Sequence, residues 1–150
     1  PYQAGQPADY ADVVEQVHGF LAQRVLACEF SGIDRARLVL DPGYGFNKDT
    51  AQSCQLLAGQ GSLRRLGLPL LAGLSRKRCV AEVTGRQLPA ERLAGSLAAH
   101  VLAVQGGAAI VRVHDVAATV DALRVFERMA AVVPPRSVPN PAGPVWPDEY

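Results

Sequence analysis

Short apolar runs alternate along this chain with segments whose apolar residues recur every three or four positions. Three runs, residues 37–40, 68–74 and 109–113, have the length of buried strands, and each is followed by charged residues. Residues 38–40 in particular predict a fully buried parallel strand that ends at a glycine-rich turn. The pattern therefore predicts three strands that each carry charge at their carboxyl end.

The helical spacings predict four amphipathic helices around these strands. Asp9 is the predicted cap of the first helix, and Asp49 or Thr50 is that of the second. Residues 81–88 predict a polar connection to the third helix, and Asp115 is the predicted cap of the fourth. The side chains predicted to face inward on the second to fourth helices are Cys54, Leu57, Leu63, Leu93, Leu97, Val101, Val104, Val120, Leu123, Phe126 and Met129.

A helix followed by three strand-plus-helix units indicates an α/β fold with a parallel sheet and right-handed crossovers. Periodicity does not choose between a closed barrel and an open sheet, but in both folds ligands bind where the strands end. Asp41, Lys77, Arg112 and His114 lie at those ends. We therefore expect them to share one binding site.

Composition narrows the classes of function. The 150 residues are 49% hydrophobic, enough for one core, and a net charge of +1 favours neither nucleic acid nor a membrane as partner. Cys28, Cys54 and Cys79 lack a Cys-x-x-Cys spacing, so neither disulfides nor a structural zinc site is indicated, and a soluble protein of the reducing cytoplasm is expected. Six prolines after residue 133 predict a domain at 1–133 and an extended tail at 134–150.

Asp41 ends the stretch Leu38-Val39-Leu40-Asp41 and has two interpretations. Its carboxylate could accept hydrogen bonds from a planar group with adjacent N–H donors, such as the amidine-like edge of a heterocycle. It could also cap its own turn through backbone N–H groups. Taken alone, the second interpretation is favoured.

The chain has thirteen Arg but only two Lys, Lys48 and Lys77, both in loops that follow predicted strands. A compact ammonium can donate to a ring nitrogen or a carbonyl where a planar guanidinium does not fit.

Arg112 and His114 are two apart in a strand and point to one face, where a fork of donors beside an imidazole suits phosphate. Alternatively, Arg112 pairs with Asp115 or with another carboxylate.

Together, these motifs resemble the carboxyl-terminal half of the dihydropteroate synthase family, the folate-pathway enzymes that sulfonamides inhibit. The resemblance covers residues 9–129. The motifs that carry it are Asp41-Pro42-Gly43-Tyr44-Gly45-Phe46, Gly73-Leu74-Ser75-Arg76-Lys77, Glu91-Arg92-Leu93 with Gly95-Ser96-Leu97-Ala98, and Arg112-Val113-His114-Asp115-Val116. The resemblance implies a TIM (β/α)8 barrel, of which this chain supplies about the last three strands and four helices.

The resemblance also implies roles for the matching residues. The implied pterin-binding residues are Asp41, Phe46, Gly73, Lys77 and Arg112. The implied diphosphate-binding residues are Arg112, Val113 and His114, and Lys77 with Arg78 would lie on the 4-aminobenzoate side. The implied catalytic residues are Lys77, Arg112 and His114. The family joins (7,8-dihydropterin-6-yl)methyl diphosphate to 4-aminobenzoate with the help of Mg²⁺, whose ligands are expected outside this chain.

Two departures and two alternative functions accompany the resemblance. Arg78 stands where many members have Ser or Thr, and Asn47 where many have Gly. The chain opens on Pro1 without the family's amino-terminal parts, so we expect it to be inactive alone.

A pterin-binding methyltransferase relative would lack the Ser-Arg-Lys loop and the Arg-x-His pair. The other alternative is an inert pterin-binding or assembly partner, and small residues around Gly95 fit the homodimer that the family implies.

Overall fold

The computed structural model describes residues 9–132, so the predicted tail at 134–150 lies outside the described residues. The helices and strands in this range are, in order, α1 (Val13–Phe30), α2 (Thr50–Gly59), β1 (Leu71–Ala72), α3 (Arg78–Thr84), α4 (Leu93–Gln105), β2 (Ile110–Val111) and α5 (Val116–Ala130). Short 3-10 helices occupy Arg35–Arg37, Gln60–Leu66 and Pro89–Arg92. None of the helices between residues 9 and 132 has both the length and the apolar character needed to cross a membrane.

The strands lie side by side in chain order and in parallel. β1 pairs with β2, with Leu71 opposite Ile110, and Leu40 joins β1 through one parallel bridge to Leu70. The Leu71 N–H donates to the Leu40 carbonyl, whereas the Leu70 and Ala72 carbonyls accept from the β2 side. Residues 38–40 and β2 therefore flank β1 on opposite edges, which confirms the predicted parallel arrangement.

The predicted burial and extent of the first strand are wrong. Only Leu40 forms a strand bridge, Val39 is 48% exposed, and Arg35–Arg37 form a 3-10 turn. A parallel strand is buried when neighbours cover both edges and both faces, and in the described part of the chain β1 is the only strand beside residues 38–40. The carboxyl end of this segment is nevertheless where the sequence places it, at Asp41.

Four of the five α-helices in the described residues were predicted, and α3 was not. The first helix is capped by Asp12 rather than Asp9, since Asp12 Oδ1 accepts from the Val14 and Glu15 N–H groups at 2.9 and 3.0 Å. Asp49 caps α2 in a capping box, as predicted. The predicted polar connection at 81–88 is wrong, because α3 occupies Arg78–Thr84 and raises the described α-helices to five. Three consecutive buried residues on this short helix hide its periodicity.

Several side chains predicted to face inward are exposed, namely Cys54, Leu93, Val120 and Met129. On α4 the buried side chains are Ser96, His100 and Ala103 instead of the predicted larger residues. The reason is close packing against α3: a Cβ on Gly95 would lie 2.7 Å from Val80 Cγ1. Small residues thus let α4 approach α3, and the predicted Leu97, Val101 and Val104 are only half-buried.

The core lies between α1, α2 and the strands and supports the glycine turn that follows Leu40. Tyr44, Leu56 and Leu63 are fully buried there. The Tyr44 hydroxyl donates to the Gln60 side chain, which in turn donates to the Ala103 carbonyl. Because each of these buried polar groups has a partner, the turn is anchored to the core without an unpaired group.

Candidate functional site

A glycine turn after residue 40 forms the first wall of the candidate site. Gly43 and Gly45 have φ angles of +69° and +73°, a conformation that glycine adopts without steric cost. A side chain at Gly45 would also touch Lys77, since an added Cβ would lie 3.4 Å from its Cδ atom. The turn therefore lets the Lys77 side chain approach the backbone.

The structure confirms that Asp41 caps its own turn, and it also places the carboxylate beside Arg112. Its Oδ1 accepts from the Gly43 N–H at 2.9 Å, which is the capping of its own turn. Its Oδ2 lies 3.3 Å from Arg112 Nη2, and the Asp41 side chain is 36% exposed. The carboxylate is thus oriented by the turn and the arginine while one edge stays open to a ligand.

Lys77 reaches across from the loop after β1 to the glycine turn. Its ammonium donates to the Tyr44 carbonyl and lies 4.3 Å from the centre of the Phe46 ring. Burial lowers the pKa of this ammonium, the Asp41 carboxylate opposes that change, and the Arg112 cation lowers the pKa further. Lys77 therefore shares one electrostatic environment with Asp41 and Arg112.

Arg112, just after β2, lies across the backbone of Gly73, just after β1. A Cβ on Gly73 would lie 2.8 Å from an Arg112 guanidinium nitrogen, so a larger residue would displace the guanidinium from this position. The Arg112 side chain is 60% exposed, and Val113 next to it is half-buried. Arg112 and His114 are both exposed while Val111 and Val113 are half-buried, which agrees with the prediction that Arg112 and His114 point to one face.

His114 is held by Ser75 from the neighbouring loop. Ser75 Oγ lies 2.8 Å from His114 Nδ1 and accepts from the His114 N–H at 3.1 Å. The sequence contained Ser75 within its Ser-Arg-Lys motif but gave no sign of this contact. The structure therefore brings Asp41, Lys77, Arg112 and His114 to the same end of the sheet, as predicted.

Two further cations border the cluster. Lys48 is 6% exposed, and its ammonium donates to the Gly43 and Phe46 carbonyls at 3.1 and 3.2 Å. Burial lowers the pKa of the Lys48 ammonium, and the positive charge of Lys77 lowers it further. Arg78 is exposed, lies 3.5 Å from Glu82 and donates to the Lys48 carbonyl at 3.4 Å. Lys48 thus supports the glycine turn, a role that its sequence position alone does not indicate.

A cavity of about 510 Å³ adjoins the cluster between α1 and the glycine turn. Asp41 and Phe46 line it, together with Lys48 and Tyr10, while Lys77 and Arg112 lie beyond its lining. Its volume falls in the range of small-molecule pockets. Among residues 9–132 no group of three or more His, Cys, Asp or Glu side chains could hold a metal ion.

The chain is similar in sequence to proteins of one family. The pterin binding enzyme family matches residues 2–114 of this chain. This chain belongs to the pterin binding enzyme family. Dihydropteroate synthase of Escherichia coli K12, a relative, is 43% identical over 118 residues, which are 79% of this chain and 42% of that protein.

Solved structures agree with this family membership. Dihydropteroate synthase from Xanthomonas albilineans in complex with 7,8-dihydropteroate is 57% identical with a TM-score of 0.83, over 85% of this chain and 49% of that one. The structure of the same enzyme with 4-aminobenzoic acid is 56% identical to this chain and has a TM-score of 0.84. That match covers 88% of this chain and 48% of the other. The chain thus spans about half the length of these relatives. Its described residues form part of a TIM barrel, which confirms the predicted fold class.

Proposed function

We propose that the complete protein is a dihydropteroate synthase, which condenses (7,8-dihydropterin-6-yl)methyl diphosphate with 4-aminobenzoate and releases diphosphate. The observation that carries this proposal is the convergence of Asp41, Lys77 and Arg112 at the carboxyl end of the sheet, where Asp41 and Arg112 are 3.3 Å apart. Similarity to synthases observed with 7,8-dihydropteroate and 4-aminobenzoic acid supports the same reaction.

In this proposal the pterin ring lies between the glycine turn and Arg112. Asp41 accepts hydrogen bonds from the N–H groups at the ring edge, and Lys77 donates to an acceptor of the ring. Phe46 and the bare backbone of Gly73 bound the pocket. The exposed Asp41–Arg112 contact is weak in water, so a ligand can replace it at little cost.

The reaction breaks the bond between the pterin methylene carbon and the diphosphate oxygen. The arylamine nitrogen forms the new bond to that carbon and loses a proton, while the diphosphate leaves with its electron pair. Arg112 and His114, with the backbone at Val113, stabilise the charge that develops on the diphosphate. Lys77 and Arg78 border the side on which 4-aminobenzoate, or a sulfonamide in its place, approaches. Positioning and charge stabilisation account for the chemistry that these residues can supply.

The Mg²⁺ that the family resemblance implies would be held by parts of the protein outside residues 9–132. No step above depends on it. We also propose a homodimer through α5 and the adjoining side of α4, where Val101, Val125, Phe126 and Met129 line one groove. Val125 and Met129 are 60% and 70% exposed, and large exposed apolar side chains that lie together indicate an interface.

The test is an assay of the complete protein with the pterin diphosphate and 4-aminobenzoate. Formation of 7,8-dihydropteroate with equal release of diphosphate is the expected result. Binding of the pterin diphosphate without turnover would instead support an inert pterin-binding partner. Transfer of a methyl group from a methylated pterin cofactor would support the methyltransferase alternative.

A further inference from the structure

The loop between β1 and α3 contains a residue in a costly backbone conformation. Arg76 has a φ angle of +55°, in the left-handed region that is uncommon for residues with long side chains. Such conformations persist only where surrounding contacts hold them, and they concentrate at functional sites. Arg76 lies between Ser75 and Lys77, which both contact the candidate site.

Contacts from two other parts of the chain hold this conformation. The Arg76 N–H donates to Ser96 Oγ at 2.9 Å, and Arg92 Nη1 donates to the Arg76 carbonyl at 2.8 Å, both from the start of α4. The guanidinium forms a bidentate pair with Asp115, with Nε–Oδ2 at 3.0 Å and Nη2–Oδ1 at 2.6 Å. A bidentate arginine fixes direction as well as distance.

The pair with Arg76 replaces the role that the sequence predicted for Asp115. Asp115 occupies the N-cap position of α5, yet its side chain makes no capping hydrogen bond. The hydrogen bond from Arg76 is the largest cause of the lowered pKa of the Asp115 carboxyl. The two side chains are 30% and 23% exposed, whereas those of the Arg65–Glu15 pair are 61% and 58% exposed. Asp115 therefore orients Arg76 more than it caps the helix.

This ion pair joins the two loops that carry the charged groups of the site. On one side of Arg76, Ser75 contacts His114, and on the other side Lys77 donates to the Tyr44 carbonyl. Asp115 follows His114 directly. A change in the Arg76–Asp115 pair would therefore move Lys77 and His114 relative to each other.

We propose that Arg76, through its pair with Asp115, is a positioning residue that sets the separation of Lys77 and His114 without touching substrate. The proposal rests on the proposed function, because it assigns the two positioned side chains to pterin and to diphosphate. It gives Arg76, the middle residue of the Ser-Arg-Lys motif, a role beside those of Ser75 and Lys77.

The experiment measures steady-state kinetics and thermal unfolding of the complete protein with Arg76→Gly, Arg76→Ala, Asp115→Ala and the double variant Arg76→Ala/Asp115→Ala. Glycine adopts positive φ freely, so Arg76→Gly removes the ion pair while it relieves the backbone. We expect Arg76→Gly to lower kcat at least tenfold with little change in the midpoint of thermal unfolding. Arg65→Ala, which removes the more exposed pair, should leave both values as in the parent.

The double variant tests whether Arg76 and Asp115 act as a unit. If they do, the double variant loses no more kcat than the more damaging single variant. Parent kcat in Arg76→Gly, or losses that multiply in the double variant, would overturn the proposal. A parent without condensation activity would count against the proposed function instead.

A second measurement does not depend on activity. The imidazole resonances of His114, assigned by comparison with a His114→Gln spectrum, are recorded by NMR in the parent, Arg76→Gly and Arg65→Ala proteins. We expect shifted and broadened His114 resonances in Arg76→Gly alone, because the Ser75 contact would lose its fixed geometry. Unchanged resonances in Arg76→Gly would overturn the positioning role even if the protein is inactive.

Discussion

Each charged side chain of the site is oriented by a neighbour that the linear sequence does not place beside it. Asp41 is held by Gly43 and by Arg112, which is 71 positions away, and His114 is held by Ser75. The sequence identified the site residues because each follows an apolar run. It also offered the turn-capping contact of Asp41 and a carboxylate partner for Arg112. It did not identify Asp41 as that partner or Ser75 as the partner of His114, because these contacts depend on how neighbouring strands align.

Substitution of Lys77 or Arg112 tests the assignment of the individual residues. Lys77→Ala and Arg112→Ala in the complete protein should each cost about 1.5 to 3 kcal/mol of ligand binding or transition-state stabilisation, the range for hydrogen bonds to charged groups. That cost corresponds to roughly a 10- to 150-fold loss of kcat/KM. Steady-state kinetics of each variant gives the value.

Arg124→Ala is the matched control for these two variants. The Arg124 side chain is 76% exposed and lies 4.0 Å from Asp121 on α5, so its loss should change kcat/KM little. Lys77→Ala and Arg112→Ala variants as active as Arg124→Ala would remove both residues from the mechanism.

At the scale of elements, the spacing of apolar residues predicted the helices better than it predicted their faces. α1 and α2 begin near the predicted caps because capping is a local signal. α3 was missed, and the buried face of α4 was misjudged, because both depend on contact between the two helices. A stripe of small residues was the sequence signal of that contact.

The contact between α3 and α4 predicts opposite effects for two Gly→Ala substitutions. A Cβ at Gly95 would lie 2.7 Å from Val80 Cγ1 and 2.9 Å from Thr84 Cγ2, so Gly95→Ala should lower the free energy of unfolding by about 1 to 3 kcal/mol. Gly19 in α1 has no such neighbour within 4 Å, so Gly19→Ala should raise it by about 0.5 to 1 kcal/mol. Urea denaturation measures both, and changes of equal sign would contradict the packing.

Burial of His100 within α4 predicts that the protein becomes less stable as the pH falls. Burial lowers the pKa of His100 below its ordinary 6.5, with Asp115 opposing, and neither ring nitrogen has a hydrogen-bond partner among residues 9–132. Below pH 6.5 the unfolded chain therefore binds a proton that the folded chain does not. The free energy of unfolding then decreases as the pH falls, by at most about 1.4 kcal/mol per pH unit for this group.

The His100→Gln variant isolates this contribution. Glutamine is polar and of similar size but does not titrate, so the variant should lose less stability between pH 7 and pH 5 than the parent. Urea denaturation at both pH values gives the two differences. Equal losses would show that His100 does not titrate differently on folding.

At the scale of the whole molecule, the alternation of strands and helices predicted the order and direction of the sheet. The extent of the strands did not follow from the sequence, because a strand lengthens only where neighbours pair with it. β2 pairs with β1 alone among the described residues, and Ile110 is 42% exposed. Since the chain spans about half the length of its relatives, we propose that the 150 residues alone do not turn over substrate.

We propose that one end of this sheet binds a pterin diphosphate, with Asp41 on the ring and His114 on the diphosphate. Calorimetry of the complete protein with the pterin diphosphate and with the same pterin lacking diphosphate tests it most directly. Asp41→Asn should weaken both ligands by roughly 10-fold or more, the loss of a charged hydrogen-bond acceptor. His114→Ala should weaken only the ligand that carries diphosphate. Parent affinity for both ligands in Asp41→Asn, or equal losses for both in His114→Ala, would contradict this account of the site.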